Sequence, residues 1–200
     1  MARTATRTAM LALAMLLAGL ATAKAQTYPP PGHMMIFADR TADRLEYFRT
    51  RAAREGRIAE AVDLTWQLRA RISDVWGAHQ TILWTVYMDV VDLWRGAREF
   101  DRALAALDRL EHDLAAFHWF DDYERARIRL AQAYLHIDDA HPALAERSFR
   151  AYLDFYDASG RPDGPVAAKT YRDFADVLRA IGKPAEAESL RRRAAKAESG

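Results

Sequence analysis

The chain is 200 residues long, half of them hydrophobic and 28 % charged, with no cysteine and a formal net charge of +1. That length can bury a core of its own, and the missing cysteine excludes a disulfide framework, a thiolate metal site, a thiol nucleophile and a lipidated cysteine. The balanced charge argues against a nucleic-acid binder, which carries a strong basic excess, and the apolar fraction is too high for a disordered chain.

Arg3 and Arg7 precede an uncharged run from Ala9 to Ala23, rich in Leu, Ala and Met, and Ala23-Lys24-Ala25 places small residues after it. A basic start, an apolar middle and a small-residue end form the pattern of a secretory signal. It predicts removal of residues 1–25, with Gln26 as the new N-terminus. The apolar run, about 15 residues, is shorter than the roughly 20 a spanning helix needs; an uncleaved membrane anchor and a buried helix are the other readings. No second run of spanning length follows, so no transmembrane segment is expected in the mature chain. Cleavage there takes away Arg3, Arg7 and Lys24 and no acid, which turns the formal charge from +1 to −2. High Arg and Ala usage with four lysines fits a GC-rich bacterial genome, which makes the periplasm or secretion the expected destination.

Residues 26–37 contain Pro29-Pro30-Pro31 and are expected to form an extended spacer. From residue 38 to 198 apolar residues recur at helical spacing. Leu45, Phe48 and Ala52 share a face, as do Val62 and Trp66, then Val86, Val90 and Leu93, then Leu104, Leu107 and Leu110, then Ile128, Leu130, Tyr134 and Leu135. Turn signals fall at Gly56, Gly77, Gly96, Ala140-His141-Pro142, Ser159-Gly160-Arg161-Pro162 and Gly182-Lys183-Pro184. They divide the segment into eight helices of roughly 14–18 residues, in four pairs. Sustained alternation of the strand kind is missing.

The pairs repeat. Ala61, Ala103, Ala145 and Ala187 recur with a constant 42-residue period, and each stands five positions after a turn residue, Gly56, Arg98, Ala140 or Gly182. A glycine closes a helix because it takes a left-handed conformation without a Cβ penalty. Two residues on, Ile58, Phe100, Pro142 or Pro184 opens the next helix, and Pro suits a first turn. The alanine then faces the preceding helix, where only a small side chain permits a close crossing, and Leu107, Phe149, Leu68, Leu110 and Tyr152 fill the space beyond it.

Tyr171, Phe174, Ala175, Leu178, Gly182 and Ala187 fall at the motif positions of the tetratricopeptide repeat (TPR) family, and with its 42-residue period the chain resembles the longer, kinesin-light-chain type of that repeat over residues 38–198. The small residue of each first helix is Ala133 and Ala175 in two units but Arg49 and Val91 in the others, and the third unit is read with a two-residue shift between its helices. The resemblance implies an all-α fold, a right-handed α-solenoid of about four antiparallel helix pairs, whose first helices line a concave groove for a peptide or partner helix. Its groove positions carry over to Asp43, Glu46 and Thr50 in the first unit and to Thr85, Met88, Asp92 and Arg95 in the second. In the third they are Arg125, Arg129, Gln132 and His136, and in the fourth Lys169, Arg172, Asp176 and Arg179. Such a face runs from acidic to basic, and its arginines suit a carboxylate. The implied function is a non-enzymatic protein–protein interaction module, an exported adaptor or assembly factor that holds a peptide or helix of an envelope protein. The alternative is a structural subunit that self-associates or packs in a membrane-associated complex. The same positions also read as solvated residues with i,i+4 pairing.

Chemistry is sparse. There is no His-Glu-x-x-His, no Gly-x-Ser-x-Gly and no phosphate-cradling glycine loop. No cofactor, enzymatic activity or nucleic-acid partner is expected. His33-Met34-Met35 offers soft ligands of the kind copper takes, with a plain tail as the other reading and a metal or small-molecule carrier as a third functional option. Trp66, Trp84 and Trp94 lie on apolar stripes and are expected in the core. Trp119, in Phe117-His118-Trp119-Phe120, is expected to plug the joint between the second and third pairs or to form an exposed contact. Asp121-Asp122 and Asp138-Asp139 read as helix ends. Arg191-Arg192-Arg193 reads as a solvated cap on the last repeat, with contact to an anionic membrane surface as the alternative.

Overall fold

The computed structural model describes residues 40–76, 80–115 and 120–199. The export pattern, the proline spacer, His33-Met34-Met35 and Trp119 lie outside the described residues. The helices are α1 (Arg40–Arg54), α2 (Ile58–Trp76), α3 (Gln80–Gly96), α4 (Phe100–Leu114), α5 (Asp122–Asp138), α6 (Pro142–Ala158), α7 (Pro165–Ala180) and α8 (Pro184–Ser199). Among the described residues there is no strand. The chain divides into two compact units, one holding α1–α4 and the other α5–α8, and each is taken by itself.

A short link joins the helices of each pair, so the two must run antiparallel. All four pairs close in the same way. Gly56, Arg98, Ala140 and Gly182 have φ of 74°, 61°, 58° and 82°. The amide of the following residue donates to the carbonyl five positions back: Arg57 to Ala52 at 2.9 Å, Glu99 to Trp94 at 2.9 Å, His141 to His136 at 2.8 Å and Lys183 to Leu178 at 2.8 Å. This is the Schellman closure, which satisfies carbonyls left over at a helix end. Two glycines take the left-handed conformation freely, whereas Arg98 and Ala140 take it against their Cβ atoms.

The repeat spacing holds through the third pair, and the two-residue shift expected there is not present. Ala126 and Ala168, Ile128 and Thr170, Ala133 and Ala175, and Leu135 and Val177 are partners one repeat period apart, and all are buried.

Each unit builds its core around the repeating alanines. Ala61, Ala103 and Ala145 are fully buried and Ala187 nearly so, with Leu68, Leu107, Leu110, Phe149 and Tyr152 buried beyond them. In the α5–α8 unit Phe149 stacks on Phe174 with ring centroids 5.0 Å apart, and Ala133, Ala175 and Leu178 close around them. A second cluster joins Tyr152, Tyr156 and Tyr171 to Ala126 and Ala168. Burying a side chain such as Phe149 contributes roughly 1.5–3 kcal/mol.

Four apolar expectations are corrected. Phe48, expected to share an apolar face with Leu45 and Ala52, is 42 % exposed, because Ala52 takes the buried position and Phe48 falls past its edge. Trp66, Trp84 and Trp94 are half-buried rather than core. Trp66 meets Tyr87 edge-on at 4.9 Å with Arg69 and Arg109 above it, and Trp94 lies under Arg102 at 4.7 Å. An indole is large and carries an N–H that needs a partner, so a rim with one wet side suits it. The acidic pairs do mark helix ends: Asp121 caps α5 by accepting the Glu124 amide at 3.0 Å, and Asp138 is its last residue.

Candidate functional site

In the α1–α4 unit the first helices of the pairs are α1 and α3. Arg49 stands on α1 where the repeat register places a small residue. Its guanidinium donates to Glu46 at 2.6 and 2.8 Å and crosses to Asp89 of α3 at 3.2 Å. Burial pushes the Asp89 carboxyl above its ordinary range, and the charge of Arg49 opposes that rise. Glu46 is therefore engaged within the unit, and it also accepts from Thr50 at 3.4 Å. Asp43 is exposed, with no side-chain partner among the described residues. Asp92 and Arg95 are exposed one turn apart on α3.

In the α5–α8 unit the corresponding helices are α5 and α7. The Tyr134 hydroxyl donates to Asp173 at 2.5 Å, and Lys169 reaches the same carboxylate at 2.6 Å. Burial raises the Tyr134 phenol well above its usual value, helped by that carboxylate. Arg172 pairs with Glu198 of α8, and Arg191 of α8 pairs with Asp176 at 2.8 Å. Arg179 is exposed and has no side-chain partner among the described residues.

Arg125 and Arg129 need a change of register. Arg125 pairs with Asp122 at 3.0 Å, and Arg129 donates to Gln132 at 3.0 Å while lying 6.0 Å from the Phe155 ring. With the repeat spacing intact, their counterparts on α7 are Ala167 and Tyr171, both buried. The counterparts of Lys169, Arg172 and Arg179 on α5 are instead Arg127, Leu130 and Ile137. Arg125 and Arg129 thus sit on a different face from the α7 cations, and the displacement came from the two-residue shift that the fold lacks.

A motif with twice the repeat period organises both units. Tyr87-x-Asp89-x-x-Asp92-x-x-Arg95 on α3 recurs two repeat periods later as Tyr171-x-Asp173-x-x-Asp176-x-x-Arg179 on α7. Its members keep their roles. The Tyr87 hydroxyl donates to Asp113 at 2.5 Å and the Tyr171 hydroxyl donates to Asp163. Burial together with the Asp113 bond pushes Tyr87 up to about 12. Asp89 and Asp173 each accept from the first helix of the preceding pair, from Arg49 and Tyr134. The second Asp and the Arg follow on the neighbouring stripe.

The arginine triplet of α8 is also corrected. Arg191 binds Asp176, and Arg193 binds Asp157, reaches Asp163 at 3.2 Å and lies 4.5 Å from the Tyr171 ring. These two hold α8 to its own unit, and Arg192 is the exposed member without a side-chain partner among the described residues. No group of three or more His, Asp or Glu side chains suited to a metal occurs among the described residues, and no described helix is long and apolar enough to cross a membrane.

No family model matches the chain, and no curated protein matches it. Solved structures do. BtubC (BKLC) from P. vanneervenii is similar at 16 % identity with a TM-score of 0.58, over 78 % of this chain and 62 % of that one. This chain therefore spans less than two thirds of that protein's length. A putative kinesin light chain of Podosopora anserina with nearly identical TPR-like repeats is similar at 15 % identity with a TM-score of 0.54, over 78 % of this chain and 74 % of that one. The fold is all-α and TPR-like.

Proposed function

We propose that the chain is a non-enzymatic protein-interaction module, an exported adaptor or assembly factor that holds a peptide or helix of an envelope protein against its first helices. The observation that carries this reading is the recurrence of Asp92–Arg95 on α3 as Asp176–Arg179 on α7. Tyr87, Asp89, Tyr171 and Asp173 of the same motif are spent on contacts inside their units. Arg95 and Arg179 stay exposed beside them at matching positions. A carboxylate on the partner meets a guanidinium fork there. The TPR-like fold supports a binding role, because a repeat of helix pairs offers a long surface. Export rests on the pattern of residues 1–25.

Replacing Arg95→Glu together with Arg179→Glu is expected to abolish capture of the partner cross-linked in the native envelope, with the helical circular dichroism signal retained. Undiminished capture by that folded variant moves the binding face elsewhere. N-terminal sequencing of protein from its own cell is expected to begin at Gln26, and a chain that begins at Met1 counts against cleavage.

A further inference from the structure

α1 differs from the other first helices on one side. Where α3, α5 and α7 bury Val86, Ile128 and Thr170, α1 carries Arg44. Where they carry Leu93, Leu135 and Val177, it carries Arg51. With Arg40, Tyr47 and Arg54 these residues follow one another at three- and four-residue steps, so they form one stripe. The stripe holds four arginines and no acid in a chain whose charge is nearly balanced.

Arg40, Arg44 and Arg54 have no hydrogen-bond or ion-pair partner for their side chains among the described residues, while Arg51 binds Glu55 at 2.7 Å. Tyr47 is 62 % exposed within the stripe and Phe48, in edge contact with it at 5.4 Å, is 42 % exposed beside it. Arg51 and Arg54 stand in the last turn, where the helix dipole favours a cation, but Arg40 in the first turn opposes it. A cap on a repeat array needs polar side chains of either sign, not one sign interleaved with bare rings.

We propose that this face of α1 docks on an anionic phospholipid surface. The arginines extend over about 21 Å of a single helix, a geometry that a plane of phosphates meets all at once. Arginine stems can lie along such a surface with their heads at the phosphates, while Tyr47 and Phe48 enter the headgroup boundary. An acidic peptide would neutralise the arginines but leave both rings bordered by water.

Co-sedimentation of the full chain with vesicles tests this. Vesicles of phosphatidylcholine are compared with vesicles that also contain phosphatidylglycerol, at low and high salt. The anionic vesicles are expected to bind at least about tenfold more tightly, and the gap is expected to narrow as salt rises. The apolar run from Ala9 to Ala23 and its basic flanks Arg3, Arg7 and Lys24 are common to every variant, so the comparison is made between variants. Arg40→Glu with Arg44→Glu, placed where acidic residues favour the helix, is expected to narrow the gap severalfold, and Arg147→Glu with Arg192→Glu to leave it. Equal binding to the two vesicle types overturns the proposal, as does a gap that is undiminished in the α1 variant. So does an equal loss in the Arg147/Arg192 variant, or binding of a polyglutamate peptide that exceeds binding of the anionic vesicles.

Discussion

In the α5–α8 unit the repeat register places Ala133 and Ala175 in the first helices, and the core closes around them with Phe149 stacked on Phe174. In the α1–α4 unit the same register holds Arg49 and Val91, and the first helices meet through the bond from Arg49 to Asp89. One unit packs carbon against carbon; the other holds a half-buried charge pair at the equivalent place. Asp173, the motif counterpart of Asp89, shows the intermediate solution, an acid bonded by Tyr134 over an apolar core. The repeat fixes where helices meet and leaves open which chemistry joins them. A charged joint depends on pH and on both partners being present, and an apolar one does not.

The units carry different natural probes. All five tryptophans precede residue 121, whereas Tyr123, Tyr134, Tyr152, Tyr156 and Tyr171 lie in the later unit. Phe149→Ala should have the largest effect, about 3–5 kcal/mol, as a fully buried ring. In denaturant the tyrosine near-UV signal is expected to move further than tryptophan fluorescence, and transitions that move together would show the two units unfolding as one.

Arg49→Ala sharpens the contrast from the other side. It strands the Asp89 carboxyl and should cost about 1–3 kcal/mol near neutral pH, read by tryptophan fluorescence. Burial already raises the folded pKa of Asp89 above its unfolded value. The folded state therefore favours the protonated acid, and the cost should shrink as pH falls through the raised pKa. A cost that stays constant down to about pH 4, the ordinary range of a carboxyl, would remove Asp89 from the account.

Arg193→Ala addresses the joint between α6 and α7, where Arg193 meets Asp157 and Asp163. Both partners face solvent in part, so about 1 kcal/mol is expected. Burial works against ionisation of Asp163, yet hydrogen bonds from Tyr171 and Arg193 hold its carboxyl below the ordinary range. Its contribution is present above the unfolded pKa, about 4, and is lost as pH falls through the lowered folded value. Acid should therefore weaken this joint while relieving the one at Asp89, and a pH series with the two probes reads both signs.

The smallest effects belong to the turns. Gly182→Ala should lose about 1 kcal/mol by placing a Cβ in a left-handed residue. Ala140→Gly, which removes one, should gain a few tenths. Thermal midpoints that fail to move in opposite directions would contradict the common closure.

The repeat was legible because its signals are local. An alanine at every 42-residue step and a turn residue five before it define both the helix pairs and the left-handed positions, even where Arg98 and Ala140 replace glycine. The third-unit register is less legible because α5 has apolar residues on two sides, Ile128 and Leu135 opposite Ala126 and Ala133, so its periodicity alone does not choose a face. The cross-helix bonds of Asp89 and Asp173 are signalled by the Tyr-x-Asp-x-x-Asp-x-x-Arg motif, which recurs at two repeat steps and not at one. Nothing in a run such as Arg191-Arg192-Arg193 tells which members find acids. On a helix, adjacent residues point apart, and partners come from other elements.

The central claim is that polypeptide partners lie along the first helices. A photo-crosslinking residue placed at Arg179, with another at Arg192 on the second helix of the same pair as control, tests it in the producing cell. A discrete protein adduct at 179 and none at 192 is the predicted result. An adduct at 192 alone, or equal labelling at the two positions, would contradict the claim.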